Sequence, residues 1–324
     1  MNISRRSFVI GTAACVAPNI TVAQEAWPAR NVTILVPFPA GPAVDFVARQ
    51  VGRKLSEKYD RTIVIENRTG ANGAIAATAV ARAKPDGYTL MIGTAGTHAT
   101  AVHMTPNLPY DPVRDFTPII AAVEPVTCLV VNGKLPVKSV ADLVAYAKQN
   151  PGKLSYGSSG VGSVFHLMGE MFNRLAGVEI AHVPYRGVEP AMNDVRANHI
   201  PMTYISISNA LAAAENGEVR ILAVLEPQRF ARQPDIPSMS ELIKGFEKPS
   251  SWFGFLGPAG LDPALVQRLN ADIDRILQSD DVKPKLEELG LSVMGGSAQS
   301  FAQLIKSGVD VYGELFRQSA IKPQ

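Results

Sequence analysis

The sequence predicts an α/β fold of two lobes, and three observations carry the prediction. Short β-branched strands alternate with helices of ten or more residues, a pattern that gives parallel sheets with helices on both faces. Such runs occur twice, the second opening at "TCLVVN" (127–132). Three loops are rich in Gly, Ser, Thr or Ala: "PFPAGPAVD" (37–45), "GTAGTHAT" (93–100) and "YGSSGVGS" (156–163). Ligands of open α/β sheets sit at the carboxyl ends of the strands, so two loops from one half and one from the other suit a cleft between lobes.

In the first half, "NVTILVPF" (31–38) is a strand ended by Pro-Ala-Gly-Pro. The next stretch (44–59) sets Val44, Val47, Ala48, Val51 and Leu55 at helical spacing. "TIVIENR" (62–68) is a strand, "GANGAIAATAVARA" (70–83) a loop opening a small-residue helix, and "YTLMIG" (88–93) a third strand after the turn Pro85-Asp86-Gly87. The second half continues from "TCLVVN" with a helix over 139–150 capped by Ser139, a strand over 153–159 and a helix over 164–176. Strand 179–185, helix 189–197, strand 200–206, helix 209–216 and strand 219–225 follow. The proline-rich polar stretch 226–242 reads as a crossover. An aromatic strand over 251–260, helices over 263–278 and 284–289, and a last helix from 298 to about 318 end the chain. The chain has no period of 20–50 residues, so it is no repeat solenoid.

Residues 1–23 read as a secretory signal. Arg5 and Arg6 precede the apolar run Phe8 to Ala17, and small residues before Gln24 predict cleavage after Ala23. "SRRSF" (4–8) is similar to a twin-arginine export signal, with Cys15 as an alternative, lipid-anchored start. The apolar run is shorter than the about 20 residues that span a bilayer, and no later segment is longer, so a soluble mature chain is expected. Removing 23 of 324 residues leaves 301, room for two domains. It also removes two of the 31 basic residues and none of the 29 acidic ones. A balanced charge argues against nucleic acid and anionic lipid, which need a basic field. Any bound anion must then be held by local groups. Cys128 is the one cysteine left, which excludes a disulfide within the mature chain and a cysteine-rich metal site.

The stretch "YGSSGVGSVFHLMGE" (156–170) admits three readings: an anion cradle, a serine nucleophile, or a plain strand-to-helix turn. A nucleophile elbow needs G-x-S-x-G, which Gly157-Ser158-Ser159-Gly160-Val161 does not supply, and His166 is too local to be the usual distant base. The phosphate-loop motif is absent, and Phe165 follows Gly160-Val161-Gly162 where the dinucleotide fingerprint needs a third glycine. His98, His103, His166, His182 and His199 form no H-x-x-x-H pair and the carboxylates no calcium loop, so neither cofactor nor metal is expected. An anion cradle needs only helix-start N–H groups and serine hydroxyls. A helix dipole supplies about 0.3–1 kcal/mol and a charge-assisted hydrogen bond about 1.5–3. Micromolar binding needs about 8 kcal/mol. One loop falls short, and one such loop can equally be a turn that caps its helix; it is the convergence of three that favours a ligand site.

These and further stretches carry a resemblance over essentially the whole mature chain. "VPFPAGPAVDFVAR", "VIENRTGANGAIAATAVARAKPDGYTLMIGT", "LPYDPVRDFTPI", "YGSSGVGSVFHL", "HVPYRGVEPAMNDV", "RILAV" and "PDIPSMSEL" stand in the order seen in the Bug family, which the chain resembles. Its members are extracytoplasmic solute-binding proteins of tripartite tricarboxylate transporters. The resemblance implies a two-lobed type II periplasmic-binding (Venus-flytrap) fold and a small carboxylate held in the cleft between lobes. By position it implies Pro39, Gly41, Asp45, Thr94 and Thr97 in the first lobe. In the second it implies Ser158, Ser159, Gly162, Ser163 and His166, with Tyr185 and Gly187 from "PYRG". Asp45 is expected to cap its helix or order its loop, since its charge would repel an anion. Two departures stand out. Pro42 replaces a glycine of the family's Gly-Gly and removes an N–H donor, and Ile205 stands where an aspartate is usual. With no acidic group at 205, apolar or aromatic acids are favoured over amino acids.

The lobes are expected over 27–122 with 228–324, and over 123–227. The function expected is a periplasmic receptor, a monomer and no enzyme, that delivers its ligand to membrane transporter subunits or reports it to a sensor kinase. A secreted hydrolase using Ser159 or Ser163 is the rival of another class.

Overall fold

The computed structural model describes residues 27–41 and 43–319; the expected signal, Cys15 and Pro42 lie outside them. The strands are β1 Val32–Val36, β2 Ile63–Asn67, β3 Thr89–Thr94, β4 Phe116–Pro125, β5 Thr127–Asn132 and β6 Ser155–Ser158. They continue with β7 Ala181–Pro184, β8 Met202–Ser206, β9 Val219–Val224, β10 Phe253–Pro258 and β11 Leu291–Gly295. They form two sheets, a six-stranded one ordered β11-β4-β10-β3-β1-β2 and a five-stranded one ordered β7-β6-β8-β5-β9. The first sheet therefore takes both ends of the described chain and the second its middle. The chain crosses between them at Pro125–Thr127 and again between Val224 and Phe253.

The expectation of parallel sheets needs correction. β1 runs parallel to β2 and β3, and β6 to β7 and β8. β10 runs against β3 and β4, β11 against β4, and β5 against β8 and β9. The hinge explains the reversal of β5 and β10: each arrives from the other lobe and starts at the cleft edge, so it opposes the strands that end there. β11 reverses within its own lobe, after helix Lys283–Glu288.

Strand alternation divides the core of the first lobe. Ile34 and Val36 pack on Val47, Val51 and Leu55 of helix Ala43–Tyr59 and on Leu269 and Ile273 of helix Pro263–Leu277. Leu35 and Met91 face the other way, onto Ala76, Ala77 and Val80. Phe301, Ile305 and Tyr312 of helix Ala298–Gln318 belong to that second face.

The two crossovers are tied by a buried charge cluster. Lys248 Nζ lies 3.0 Å from Glu124 Oε1 and 3.3 Å from Glu226 Oε1. Glu226 Oε1 also accepts the N–H and hydroxyl of Thr127, each at 3.0 Å, while Glu124 Oε1 takes the N–H of Ser251 at 2.9 Å. Burial pushes the Glu226 carboxyl up despite Lys248.

Candidate ligand cleft

On the first lobe, three loops meet around Gly73. A Cβ there would lie 2.6 Å from Thr97 Cγ2 and 2.9 Å from Pro37 Cβ, and its φ of +90° suits glycine. Residues 70–73 all have positive φ, including Ala71 (47°) and Asn72 (52°). The sequence predicts here only a loop opening a helix, whereas the turn closes the floor under Pro37 and Thr97. Its one sequence signal was the pair of glycines flanking Ala-Asn.

The predicted side chains of this lobe order the loops. Asp45 accepts the Gly41 N–H at 3.1 Å, Arg49 Nε at 2.8 Å and Asn67 Nδ2 at 2.8 Å. Burial opposes its ionisation, yet these partners hold its carboxyl below the usual range. Thr94 and Thr97 exchange hydrogen bonds: the Thr94 N–H reaches Thr97 Oγ1 at 3.0 Å and the Thr97 N–H reaches Thr94 Oγ1 at 3.2 Å. Both are buried, so they shape the shelf from below. Pro39 and Gly41 are exposed at its rim.

On the second lobe, Ser158 to His166 form a tightly bonded turn. The Ser158 hydroxyl donates to Gly160 O at 3.0 Å and accepts the Gly160 N–H at 3.1 Å. His166 Nδ1 accepts the Gly162 N–H at 3.1 Å. Ser163 caps helix Val164–Ala176, its Oγ accepting the His166 N–H at 3.3 Å. Among the described residues, the N–H groups left without a protein acceptor at this helix start are those of Val164 and Phe165. Ser159 keeps a free, half-exposed hydroxyl. These are the donors the turn can offer an anion.

His166 stacks on His182 with ring centroids 3.6 Å apart, and His182 Nε2 lies 2.7 Å from Ser158 Oγ. Burial lowers both imidazoles to about 4, His182 also through its neighbour. This serine–histidine contact was missed because the pair is distant in sequence. Ser158 is fully buried and bonded to its own turn, so it cannot reach a substrate. Tyr185 and Gly187 flank the turn: the Tyr185 N–H bonds Ser158 O at 3.0 Å, and Gly187 begins helix Val188–Arg196. Tyr185 spends its hydroxyl on Asp194 at 2.6 Å.

The lobes touch at this turn. A Cβ on Gly162 would lie 2.2 Å from Cε and 2.7 Å from Sδ of Met104, which follows the 94–100 loop. Met104 was not among the expected residues. Ile205 was, and its placement needs correction. It is fully buried, packed with Val126, Cys128, Val130, Met192 and Ile200 in a core of the second lobe. Strand alternation turns it into that core, so the ligand preference drawn from position 205 has no geometric basis.

A groove of about 670 Å³ between helix Val164–Ala176 and the end of the last helix shares no lining residue with the three loops. Among the described residues, no group of three or more His, Cys, Asp or Glu side chains could hold a metal, and no helix is long and apolar enough to cross a membrane.

Residues 47–321 match the model of the tripartite tricarboxylate transporter family receptor. The chain belongs to that family. It is 30% identical to protein BugT of Bordetella pertussis over 99% of both chains. Among solved structures it is similar to Rpa4515 of R. palustris with adipate, with a TM-score of 0.81 and 38% identity over 92% of this chain and 100% of that one. MatC from Rhodopseudomonas palustris with bound malate superposes with a TM-score of 0.73 and 33% identity, over 89% of this chain and 99% of that one. The two-lobed periplasmic-binding fold and the Bug family, a family of periplasmic solute-binding proteins, thus both hold for this chain.

Proposed function

We propose that this protein is an exported, monomeric receptor that captures a short-chain carboxylate between its lobes, without chemistry on it, and delivers it to the membrane subunits of a tripartite transporter. Its export signal is cleaved after Ala23 in this reading. The observation that carries the reading is the meeting of the 94–104 segment with the Ser-Gly turn at Met104 and Gly162. A ligand there is reached from both lobes, so its binding energy differs between open and closed states and drives the closure. Adipate and malate, the acids bound by two similar proteins, make dicarboxylates the first class to try.

The test is a thermal-shift screen of the chain from Gln24 onward, stripped of co-purified ligand, against dicarboxylates, tricarboxylates, aromatic acids, amino acids and sugars. A ligand at 100 times its dissociation constant adds about 2.7 kcal/mol. Stabilisation by one class of acids supports the receptor reading and names the class. Stabilisation by sugars alone, or by nothing, counts against it.

A further inference from the structure

His182 occupies the centre of the Ser-Gly turn's support. Strand β7 places it opposite Tyr156 of β6, and its ring lies on that of His166 with the planes within 12°. Through Nε2 it reaches Ser158, which holds both the N–H and the carbonyl of Gly160. Through its face it backs His166, which holds the N–H of Gly162. Both glycines sit at left-handed φ, +125° and +75°, in a stretch whose backbone would otherwise be free to move.

We propose that His182 is a positioning residue for the ligand turn, fixing Gly160 through Ser158 and Gly162 through His166. The proposal rests on the receptor reading for its effect on affinity, since a turn already held in its bound shape loses less entropy on binding. Its effect on the turn itself stands apart from any ligand.

The pair works only while uncharged. Nδ1 of His166 accepts the Gly162 N–H only when it carries no proton, and two imidazolium rings cannot stack at 3.6 Å. The other titratable groups facing the pair are Glu170 on the helix of His166 and Tyr156 on β6, with Tyr204 of β8 packed on Tyr156. Burial keeps both phenols neutral. Glu170 Oε1 takes the Tyr156 hydroxyl at 2.9 Å and lies 3.9 Å from His166 Nε2. Glu170 favours a proton on the stacked pair while burial opposes it, and an imidazolium at His166 can no longer accept from Gly162. Acid loosens the turn.

Two measurements test this on the wild type, His182→Phe, His182→Ala, Ser158→Ala and the Ser158→Ala/His182→Phe pair. The first is amide hydrogen exchange without ligand. His182→Phe keeps a ring on His166 and should speed exchange at Gly160 alone, whereas His182→Ala should speed it at Gly160 and Gly162. The second is calorimetric titration with adipate and with malate at about pH 7. Each single variant should bind about tenfold more weakly, the order expected for one lost buried hydrogen bond. The double variant should be no weaker than the worse single one, and wild-type glycine exchange, corrected for its intrinsic pH dependence, should speed as pH falls through about 4. Glycine exchange unchanged in both His182 variants, or losses that add in full in the double variant, would overturn the proposal. If the wild type binds neither acid, the receptor reading loses its support while hydrogen exchange still decides the positioning role.

Discussion

Gly162 satisfies two constraints that no other residue meets together. Its φ of +75° is left-handed, and Met104 of the other lobe lies where a Cβ would go. An alanine there carries a left-handed penalty of about 1–2 kcal/mol besides its overlap with Met104. Gly162→Ala should therefore lower the melting temperature and weaken carboxylate binding. Adding Met104→Ala should recover the steric part and leave the backbone part. A Gly162→Ala protein that melts and binds like the wild type would show that the lobes do not meet at this turn. The sequence drew attention to Gly162 because cap and glycine spacing are local signals. Met104 carried none, since its importance comes from a contact far along the chain. Ser158 and Ile205 show the same limit from the other side. Loop composition marked Ser158 as a donor and family position marked Ile205, but hydroxyl geometry and strand alternation turn both inward.

The two crossovers are held by one cation between two carboxyl groups. Lys248 is buried and faces Glu124 from the first lobe and Glu226 from the second. Removing the cation leaves the buried Glu226 and the part-buried Glu124 without their counter-ion, and breaking such a cluster costs about 3–5 kcal/mol. Lys248→Met should accordingly unfold at clearly lower temperature. Because burial already raises the Glu226 carboxyl, acid should relieve part of the defect by protonating it. The gap between variant and wild type should narrow from pH 7 to 5 in thermal melts, and Glu226→Gln added to Lys248→Met should narrow it at pH 7. A constant gap would mean that Glu226 carries no charge even beside Lys248. Much at this scale could be read from sequence: the strands over 31–38, 62–68 and 88–93, the helix cap at Ser139, and the crossover after 225 all have local signatures. β4 and β11 were not recognised. β4 holds Pro118 and ends at Pro125, which blur a strand signal, and β11 is a short edge strand ending in Gly295. Nor does local pattern record strand direction, which for β5 and β10 follows from which lobe the chain has just left.

For the whole molecule, the buried histidines set how stability responds to acid. His98 is fully buried against Tyr110, Phe116 and Trp252, its Nδ1 2.8 Å from Thr97 Oγ1 and its Nε2 without a partner. Burial lowers its imidazole to about 3, and lowers those of His166 and His182 to about 4. In the unfolded chain each titrates near its ordinary value of about 6.5. Between these values the unfolded chain binds more protons than the folded one, so stability falls as pH falls. The loss should begin near pH 6.5, run through the folded-state values near 4 and 3, and amount to roughly 3 kcal/mol or more for each residue. Structural carboxylates such as Asp45, held below the usual range, enter later, below about pH 4. A melting series on ligand-free protein from pH 7.5 to 4.5 isolates the histidine part. His98→Asn keeps a small polar group beside Thr97 but cannot take up a proton, so its curve should start lower and slope less over that range. Parallel curves for the variant and the wild type would assign the acid response to other groups. A wild-type curve flat down to pH 4.5 would mean that the folded protein takes protons on these rings as readily as the unfolded chain does, and the stacked pair beneath the ligand turn would then not be confined to its neutral form.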